Sequence, residues 1–191
     1  MRIVNVDRDI IQKLRKTELY KEMSSLGFCD FLVLEERDGK IIGVSGIGGL
    51  LHVHSIQIDE QHRGEGLGKI LLNAVIMEAK RREYSFILAS FNPENTPSVR
   101  LHKSCGFYRI FRIHYSPKLI RDVTILMLKP RGRIVAKLLS IFNTIIGIAV
   151  LAVVLKISKS LSRHVLTLSP DEFPDPQVIN IIRNFEKVSQ V

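Results

Sequence analysis

The feature that most constrains the fold of this chain is a glycine-rich turn between a strand-like segment and a helix-like segment. Residues 52–58 alternate along a strand, glycines follow at positions 64, 66 and 68, and residues 67–82 carry an apolar stripe at helical spacing. The glycines leave backbone amides uncovered, and the positive end of the helix dipole points at the same place. The segment therefore predicts a binding site for an anion. Nucleotide-binding folds and ordinary tight turns share this pattern, so the turn alone names no ligand.

Strands and helices are expected throughout the first 130 residues. Asp38-Gly39 between two apolar runs predicts a β-hairpin, and an imperfect amphipathic pattern predicts a helix over residues 9–23. Further strands are expected at residues 1–9, 86–91, 107–113 and 123–128, and a further helix at residues 95–105. Because strands run up to a helix and resume after it, the expected fold is α/β, of the α+β kind, with a mixed sheet and a parallel crossover.

A change in composition divides the chain into a domain and an apolar segment. Residues 1–130 are expected to form one domain, and the basic, turn-rich residues 131–137 indicate a linker. Residues 138–155 contain no charge and approach the roughly 20 apolar residues that a helix needs to cross a membrane. Because apolar side chains occupy every face, a C-terminal transmembrane helix is favoured over a buried core helix. Residues 156–191 are expected to be a tail, which either contains a short amphipathic helix or is frayed.

Charge and cysteine content exclude several classes of function. The formal charge is +9, from 28 Lys and Arg against 19 Asp and Glu. The basic residues are spread along the chain and do not alternate with aromatic residues, so no nucleic-acid partner is expected. Cys29 and Cys105 form no disulfide framework and lack the spacing of metal ligands, which fits a reducing, cytosolic setting.

Two motifs, in the same order and at similar spacing, resemble the GNAT family of acetyltransferases. The first, similar to the family's Gln/Arg-x-x-Gly-x-Gly/Ala, is Arg63-Gly64-Glu65-Gly66-Leu67-Gly68. The second, similar to Asn-x-x-Ala/Ser-x-x-Leu-Tyr/His-x-x-x-Gly-Phe, is Asn95-Thr96-Pro97-Ser98-Val99-Arg100-Leu101-His102-Lys103-Ser104-Cys105-Gly106-Phe107. The resemblance covers residues 1–130 and does not extend to the apolar segment.

The resemblance implies a sheet that opens between its fourth and fifth strands, with acetyl-CoA as co-substrate in the cleft. The backbone would bind the pantetheine arm at Ile56, Gln57 and Ile58. Backbone amides would bind the pyrophosphate at Arg63, Gly64, Glu65, Gly66, Leu67, Gly68 and Lys69. Asn95 would contact the cofactor arm from the other side.

His102 stands where many family members carry a Tyr that protonates the departing thiolate. By resemblance, His102 would be the general acid, since imidazole can donate a proton near neutral pH. The other interpretation is a histidine that only packs beside the cofactor.

His52 and His54 lie two residues apart on an expected strand and so share one face. An amine substrate with a pKa of about 10 needs a base before it can attack a thioester. The pair is similar to the paired histidines of the arylalkylamine N-acetyltransferases, which implies a base that acts through water. Packing is the alternative. A metal site would need a third ligand, and none is nearby, so no metal is expected.

Together these features predict an N-acetyltransferase that moves an acetyl group from acetyl-CoA to a primary amine by direct attack. The backbone amide of Ile58 would polarise the carbonyl oxygen. The sequence does not specify whether the amine substrate is a small molecule or a protein. It also does not decide whether the chain forms a homodimer. A single membrane span would keep the catalytic domain in the cytoplasm. The alternative function is an acyl-CoA-binding sensor or scaffold at a membrane that has no turnover.

Overall fold

The computed structural model describes residues 1–22, 29–49, 53–114 and 120–141, together with residues 144, 146, 147, 149, 150 and 153. The strands are β1 (Arg2–Asn5), β2 (Cys29–Arg37), β3 (Lys40–Gly48), β4 (Val53–Ile58), β5 (Phe86–Phe91), β6 (Tyr108–His114) and β7 (Ile120–Met127). The helices are α1 (Arg8–Arg15), α2 (Glu18–Glu22), α3 (Leu67–Arg81), α4 (Thr96–Ser104) and α5 (Gly132–Ser140), and a 3₁₀ turn covers Glu60–His62.

The seven described strands form one mixed sheet in the order β1-β2-β3-β4-β5-β7-β6. Neighbouring strands are antiparallel, except that β4 and β5 are parallel across the crossover that contains α3. The predicted mixed sheet is therefore confirmed. The parallel ladder joins Val53 to Leu88 and His54 to Ala89 and then ends. Beyond these two pairs β4 and β5 separate, which is the opening that the family resemblance implied.

The turn between β2 and β3 is the predicted hairpin. Asp38 and Gly39 both have positive φ angles, 49° and 75°, as the two central residues of a type I′ turn require. Aspartate and glycine tolerate this left-handed backbone better than other residues do. The turn thus sets the register between β2 and β3, which starts at the pair of Arg37 and Lys40.

The N-terminal segment forms two helices instead of the single helix predicted over residues 9–23. Asp7 caps α1, because its Oδ1 accepts a hydrogen bond from Ile10 N at 2.8 Å. At the other end, both the backbone N–H and the hydroxyl of Thr17 donate to Leu14 O, at 2.9 and 2.7 Å. This local bonding ends α1 before α2 begins, so the prediction of a continuous helix is wrong.

Helix α3 packs over β2, β3 and β4 and forms the main core. Leu71, Leu72 and Val75 on its inner face are fully buried. The helix lies so close to β3 that a Cβ at Gly43 would be 2.9 Å from Leu71 Cδ1. A glycine in the second arm of the hairpin therefore permits this packing.

Side chains of β5 alternate between two cores on opposite faces of the sheet. Ile87, Ala89 and Phe91 belong to the core that contains α3. Phe86 and Leu88 belong to the core that contains α5. Helices α3 and α5 therefore lie on opposite faces.

Helix α5 includes most of the segment predicted as a linker. Its residues Val135, Ala136 and Leu139 pack against the core formed by β5, β6 and β7. At its start, a Cβ on Gly132 would lie 2.6 Å from Ser85 O, so the helix begins in direct contact with the residue that precedes β5. Residues 138–140 of the predicted transmembrane helix thus belong to a helix that packs on the sheet.

Within the residues that the structure describes, no helix is both long enough and apolar enough to cross a bilayer. The predicted transmembrane helix, residues 138–155, lies partly outside the described residues. The predicted tail, residues 156–191, lies entirely outside them.

Candidate active site

The glycine loop between β4 and α3 presents a row of free backbone amides. Gly64 and Gly66 have φ angles of 90° and 78°, and a Cβ on either would meet nothing within 4 Å. No side chain caps α3 at Gly66. In the described part of the chain, the N–H groups of residues 64–68 have no hydrogen-bond partner. An anion at this point would meet several N–H donors at the positive end of the α3 dipole.

At the two ends of the predicted pyrophosphate site, the backbone N–H groups already donate hydrogen bonds within the loop. The N–H of Arg63 donates to Glu60 O at 3.3 Å, and that of Lys69 donates to Gly66 O at 3.0 Å. The five amides from Gly64 to Gly68 therefore remain for a ligand. The side chains of Arg63 and Lys69 are exposed beside them, and Arg63 Nη1 lies 3.2 Å from Glu60 Oε1.

The acidic side chain of the loop is paired. Glu65 Oε2 lies 2.7 Å from Arg37 Nη1, so the hairpin turn neutralises the one carboxylate among residues 64–68. The pair is exposed on both sides and contributes little to stability. Its effect is to reduce repulsion between the loop and an anionic ligand.

Gly68 brings the loop against the opening between β4 and β5. A Cβ at this position would lie 3.3 Å from Leu101 Cδ2 in α4 and 3.4 Å from Ile58 Cδ1 in β4. The start of α3, the middle of α4 and the end of β4 therefore converge at the loop. The row of free amides lies at the end of the opening.

The backbone of β4 faces this opening at Ile56 and Ile58. Asp59 N–H donates to Ile42 O at 2.8 Å, and hydrogen-bonded pairs alternate along an antiparallel ladder. Ile58 and Ile56 therefore direct their N–H and C=O groups away from β3 and toward β5, where the ladder has ended. The backbone of Gln57 points instead to β3, and the C=O of Ile58 accepts a hydrogen bond from Arg63 Nε at 3.4 Å. Of the three residues predicted to bind pantetheine, Ile56 therefore offers both its N–H and its C=O to the opening, and Ile58 offers its N–H.

Asn95 is the N-cap residue of α4. Its Oδ1 accepts a hydrogen bond from Ser98 N at 3.1 Å, and its side chain is exposed. The residue thus has a structural role at the start of α4. Its contact with the cofactor arm stays a prediction.

His54 lies at the point where β4 and β5 separate, with a side chain that is 3% exposed. Its Nε2 lies 2.7 Å from Ser45 Oγ, and Ser45 Oγ donates to Ser55 O at 2.7 Å. Because the one hydroxyl proton of Ser45 goes to the carbonyl, Ser45 accepts from an N–H at Nε2. Nδ1 of His54 therefore carries the lone pair, and it has no partner among the described residues.

His102 in α4 has the opposite tautomer. Its Nδ1 lies 2.8 Å from Ser98 O, and a carbonyl only accepts, so Nδ1 carries the proton. The lone pair is on Nε2, which is buried and has no partner in the described structure. The ring lies between Phe91 and Phe107, with centroid distances of 4.8 and 5.1 Å, which fix its orientation.

The two imidazoles form a pair, with ring centroids 5.5 Å apart and planes inclined at 67°. Burial lowers the pKa of His54 well below its ordinary value, and a charge on His102 would lower it further. Burial also lowers the pKa of His102, against the opposing effect of the hydrogen bond to Ser98. Burial therefore favours the neutral form of both rings. Because a charge on one ring opposes a charge on the other, the pair takes up one proton more readily than two.

The described neighbours of the His54 ring are Ser45 and His102, whereas the sequence suggested His52 as its partner. His52 lies outside the described residues, so the predicted His-x-His pair stays a prediction. Sequence reasoning missed Ser45, whose signal was its place on β3, two residues before Ile47, the cross-strand neighbour of His54. No group of three or more His, Cys, Asp or Glu side chains in the described ranges is arranged to hold a metal ion.

Two relatives of known activity match part of this chain. The L-methionine sulfoximine/L-methionine sulfone acetyltransferase of Salmonella typhimurium is 31% identical over 96 residues, which cover 46% of this chain and 55% of the relative. The L-amino acid N-acyltransferase MnaT of Escherichia coli is 31% identical over 84 residues, which cover 40% and 49%. The chain thus spans about half the length of these relatives.

Solved structures share the fold at low sequence identity. The ribosomal-protein-S18-alanine N-acetyltransferase of Escherichia coli has a TM-score of 0.55 at 16% identity, over 67% of this chain and 94% of that one. A phosphinothricin acetyltransferase of Sinorhizobium meliloti, solved in complex with acetyl-CoA, has a TM-score of 0.53 at 17% identity, over 67% and 88%. The model of the acetyltransferase (GNAT) family matches residues 3–107, more than half of the chain. This chain therefore belongs to the GNAT acetyltransferase family.

Proposed function

We propose that this chain is an acetyl-CoA-dependent N-acetyltransferase that acts on a primary amine. The observation that carries the proposal is the opening between β4 and β5, which has free amides at one end and two imidazole lone pairs where the strands part. The pyrophosphate would bind at the amides of residues 64–68, and the pantetheine arm along the free edge of β4. Family membership and the acetyl-CoA in the Sinorhizobium structure support this donor.

The two histidines account for the proton balance of the transfer. The amine nitrogen attacks the thioester carbonyl carbon, a C–N bond forms and the C–S bond breaks. Nδ1 of His54 accepts the proton that the nitrogen releases, directly or through one water molecule. His102 has its lone pair on Nε2, so it donates to the thiolate sulfur only after it has received a proton. We propose that this proton passes within the pair, from His54 to His102, and from His102 to the sulfur. An amine that enters as the ammonium ion first loses one further proton to solvent, so the whole transfer then releases one proton.

The backbone edge of β4 supplies the remaining group that the reaction needs. The N–H of Ile58 or Ile56, directed into the opening, would donate to the carbonyl oxygen as negative charge develops on it. Such a donor is held by the β3–β4 ladder and needs no movement during the reaction. This arrangement requires no covalent enzyme intermediate.

We propose the α-amino group of a small amino acid as the first amine substrate to test. The substrates in the names of the two relatives, L-methionine sulfoximine, L-methionine sulfone and L-amino acids, carry such a group. The proposal covers a substrate class, because each relative is matched over only about half of its length.

A thiol-release assay tests the proposed activity. The full chain is mixed with acetyl-CoA and with amines that include amino acids, polyamines, arylalkylamines and lysine peptides. We expect turnover with one class, a fall of about 10²-fold or more in His54→Ala, and a similar fall in His102→Phe. His62→Ala, a histidine of the 3₁₀ turn outside the opening, is the control. Unchanged rates in both His54 and His102 variants would overturn the assignment.

The alternative function is a sensor that binds acyl-CoA without turnover, and the deep burial of both imidazoles favours it. It predicts that calorimetry detects coenzyme A binding while no amine in the panel releases thiol. Thiol release with any amine rejects it.

We also propose that residues 138–155 attach the protein to a membrane as a single span, with the catalytic domain in the cytoplasm. The uncharged run supports the span. The small excess of basic residues before the run over those after it supports the cytoplasmic side for the domain: Lys129, Arg131, Arg133 and Lys137 against Lys156, Lys159 and Arg163. Membranes from expressing cells are washed with alkaline carbonate, and the chain should stay in the pellet. Protease digestion of sealed vesicles then shows on which side residues 156–191 lie. Release into the soluble fraction would exclude a span.

A further inference from the structure

Helix α5 is apolar on its outer side as well as on the side that packs against the sheet. Its inner face contributes Val135 and Leu139 to the core. On the outer side, Ile134, Leu138 and Ile141 are 63%, 67% and 54% exposed. Their spacing of four and three residues places them in one stripe along the helix. A helix at an ordinary protein surface carries polar residues at such positions.

Exposed apolar residues also follow α5, after a step of five residues from Ile141 to Ile146. Ile146, Val150 and Val153 are again exposed, and they are again separated by four and three residues. We call Ile134, Leu138 and Ile141 the outer stripe. Exposed apolar side chains thus occur both on α5 and after it, which suits an extended partner better than a small pocket on another protein.

Charge shows which partner fits the outer stripe. Residues 130–170 contain no Asp or Glu, and the cations of Arg131, Arg133 and Lys137 are exposed beside the stripe. A surface that combines apolar side chains with cations, and that has no acidic residue, matches an anionic lipid surface. A second copy of this chain would set the same cations against each other.

We infer that the outer stripe of α5 docks the folded domain onto the surface of an anionic membrane. Ile134, Leu138 and Ile141 would enter the lipid to about 5–10 Å, at the boundary between headgroups and acyl chains. The cations of Arg131 and Arg133 would lie at the level of the lipid phosphates. The inference goes beyond acetyl transfer and does not depend on it.

Docking through α5 fixes the orientation of the candidate active site. Because α5 and α3 lie on opposite faces of the sheet, the amides of residues 64–68 would face water while α5 faces lipid. A water-soluble coenzyme could then reach the opening without leaving the aqueous phase. Docking leaves Leu139 in the core against which it packs, whereas a span over residues 138–155 would draw it into the bilayer.

Fluorescent labelling tests the position of α5. The full chain carrying Cys105→Ser is given one new cysteine, Ile134→Cys, and is labelled with an environment-sensitive dye, since Cys29 is buried. Met77→Cys is the matched control, because Met77 is 71% exposed on α3, on the opposite face of the sheet. The labelled proteins are added to vesicles of phosphatidylcholine and phosphatidylglycerol that contain a lipid-bound quencher. We expect quenching at position 134 and none at position 77.

Three outcomes would overturn the inference. A label at position 134 that responds to aqueous iodide, but not to the lipid quencher, means that the domain does not dock. A label at position 134 that is shielded from iodide before lipid is added means that the C-terminal residues or a second copy cover the stripe. Equal quenching at positions 134 and 77 means that the domain has no preferred orientation.

A charge-neutralised variant tests the choice of an anionic surface. Replacing Arg131, Arg133 and Lys137 by Gln should lower quenching at position 134 to the level seen with phosphatidylcholine alone. The control replaces three exposed cations on the opposite face, Lys80, Arg100 and Lys103, and should leave the quenching unchanged. Equal quenching in vesicles with and without phosphatidylglycerol would overturn an anionic lipid as the partner.

Discussion

The hydroxyl of Ser45 accepts a hydrogen bond from Nε2 of His54 at 2.7 Å, because its own proton is donated to the carbonyl of Ser55. This relationship leaves the lone pair of His54 on Nδ1. A buried imidazole with the other tautomer would have its lone pair against Ser45 and could not accept a proton from a substrate. Ser45 is thus a positioning residue for the proposed base.

We expect Ser45→Ala to lower kcat by up to about 10²-fold, the smaller end of the contribution of a general base. The KM for acetyl-CoA should not change, because Ser45 does not face the row of amides. The hydrogen bond also favours the protonated ring, so its loss should move the acid limb of the pH profile of kcat/KM to lower pH. Ser55→Ala, which keeps the backbone carbonyl, is the control. An acid limb at the same pH in Ser45→Ala would show that the serine has only a structural role.

The buried histidines predict that acid destabilises the fold. The pKa of each ring is lowered in the folded protein from an ordinary value of 6.5, so the unfolded chain binds more protons below that pH. Stability should therefore be constant above pH 6.5 and be lost as the pH falls, by at most about 1.4 kcal/mol per pH unit for each histidine.

Chemical denaturation from about pH 8 to pH 5 measures this loss. His54→Phe should reduce the slope, because it removes one of the two buried imidazoles. A slope that is the same in His54→Phe would assign the acid sensitivity to other groups.

Gly66→Ala should weaken coenzyme A binding. Gly66 has a φ of 78°, and its new methyl group would project into the open space before the free amides. Gly39→Ala is a matched control, since Gly39 has a φ of 75° and also has nothing within 4 Å of a Cβ. Both variants should lose about 1–2 kcal/mol of stability from the left-handed backbone.

Calorimetry with coenzyme A separates the two glycine variants. Only Gly66→Ala should bind more weakly, and Gly39→Ala should bind as the unmodified chain does. A parallel loss of affinity in both would mean that backbone strain alone, and not the loop, determines binding.

Gly132→Ala should detach the start of α5 from the sheet. The new Cβ would lie 2.6 Å from Ser85 O, a backbone atom that cannot turn aside. We expect a loss of about 1–3 kcal/mol, as for an overpacked core position, measured by the thermal midpoint. Val135→Ala is the comparison, since it removes packing from the inner face of α5 without a clash. A thermal midpoint equal to that of the unmodified chain would show that α5 contributes nothing to the fold.

Local patterns in the sequence were sufficient for much of the fold. The Asp38-Gly39 turn, the helix that begins at Leu67 and the strand over residues 86–91 each have a periodic or turn signal within a few residues. The N-terminal helix was predicted too long because Thr17 bonds to Leu14, a competition that hydrophobic periodicity does not register.

The contacts of the candidate site were less predictable, because they join segments that are distant in sequence. Ser45 reaches His54 through the register of the β3–β4 ladder, and His102 reaches His54 across the crossover. The motif placed His102 at the cofactor. It did not reveal which nitrogen holds the proton, since that depends on the carbonyl of Ser98 one turn earlier in α4.

The small number of residue pairs between β4 and β5 also affects the stability of the protein. The sheet consists of two half-sheets, β1 to β4 and β5 to β7, that meet along a seam two residues long. A ligand that bonds to the free edge of β4 while touching α4 bridges this seam, and it stabilises the folded state in proportion to the logarithm of its concentration. The concentration of such a ligand would then determine the stability of the folded protein as well as the rate of acetyl transfer.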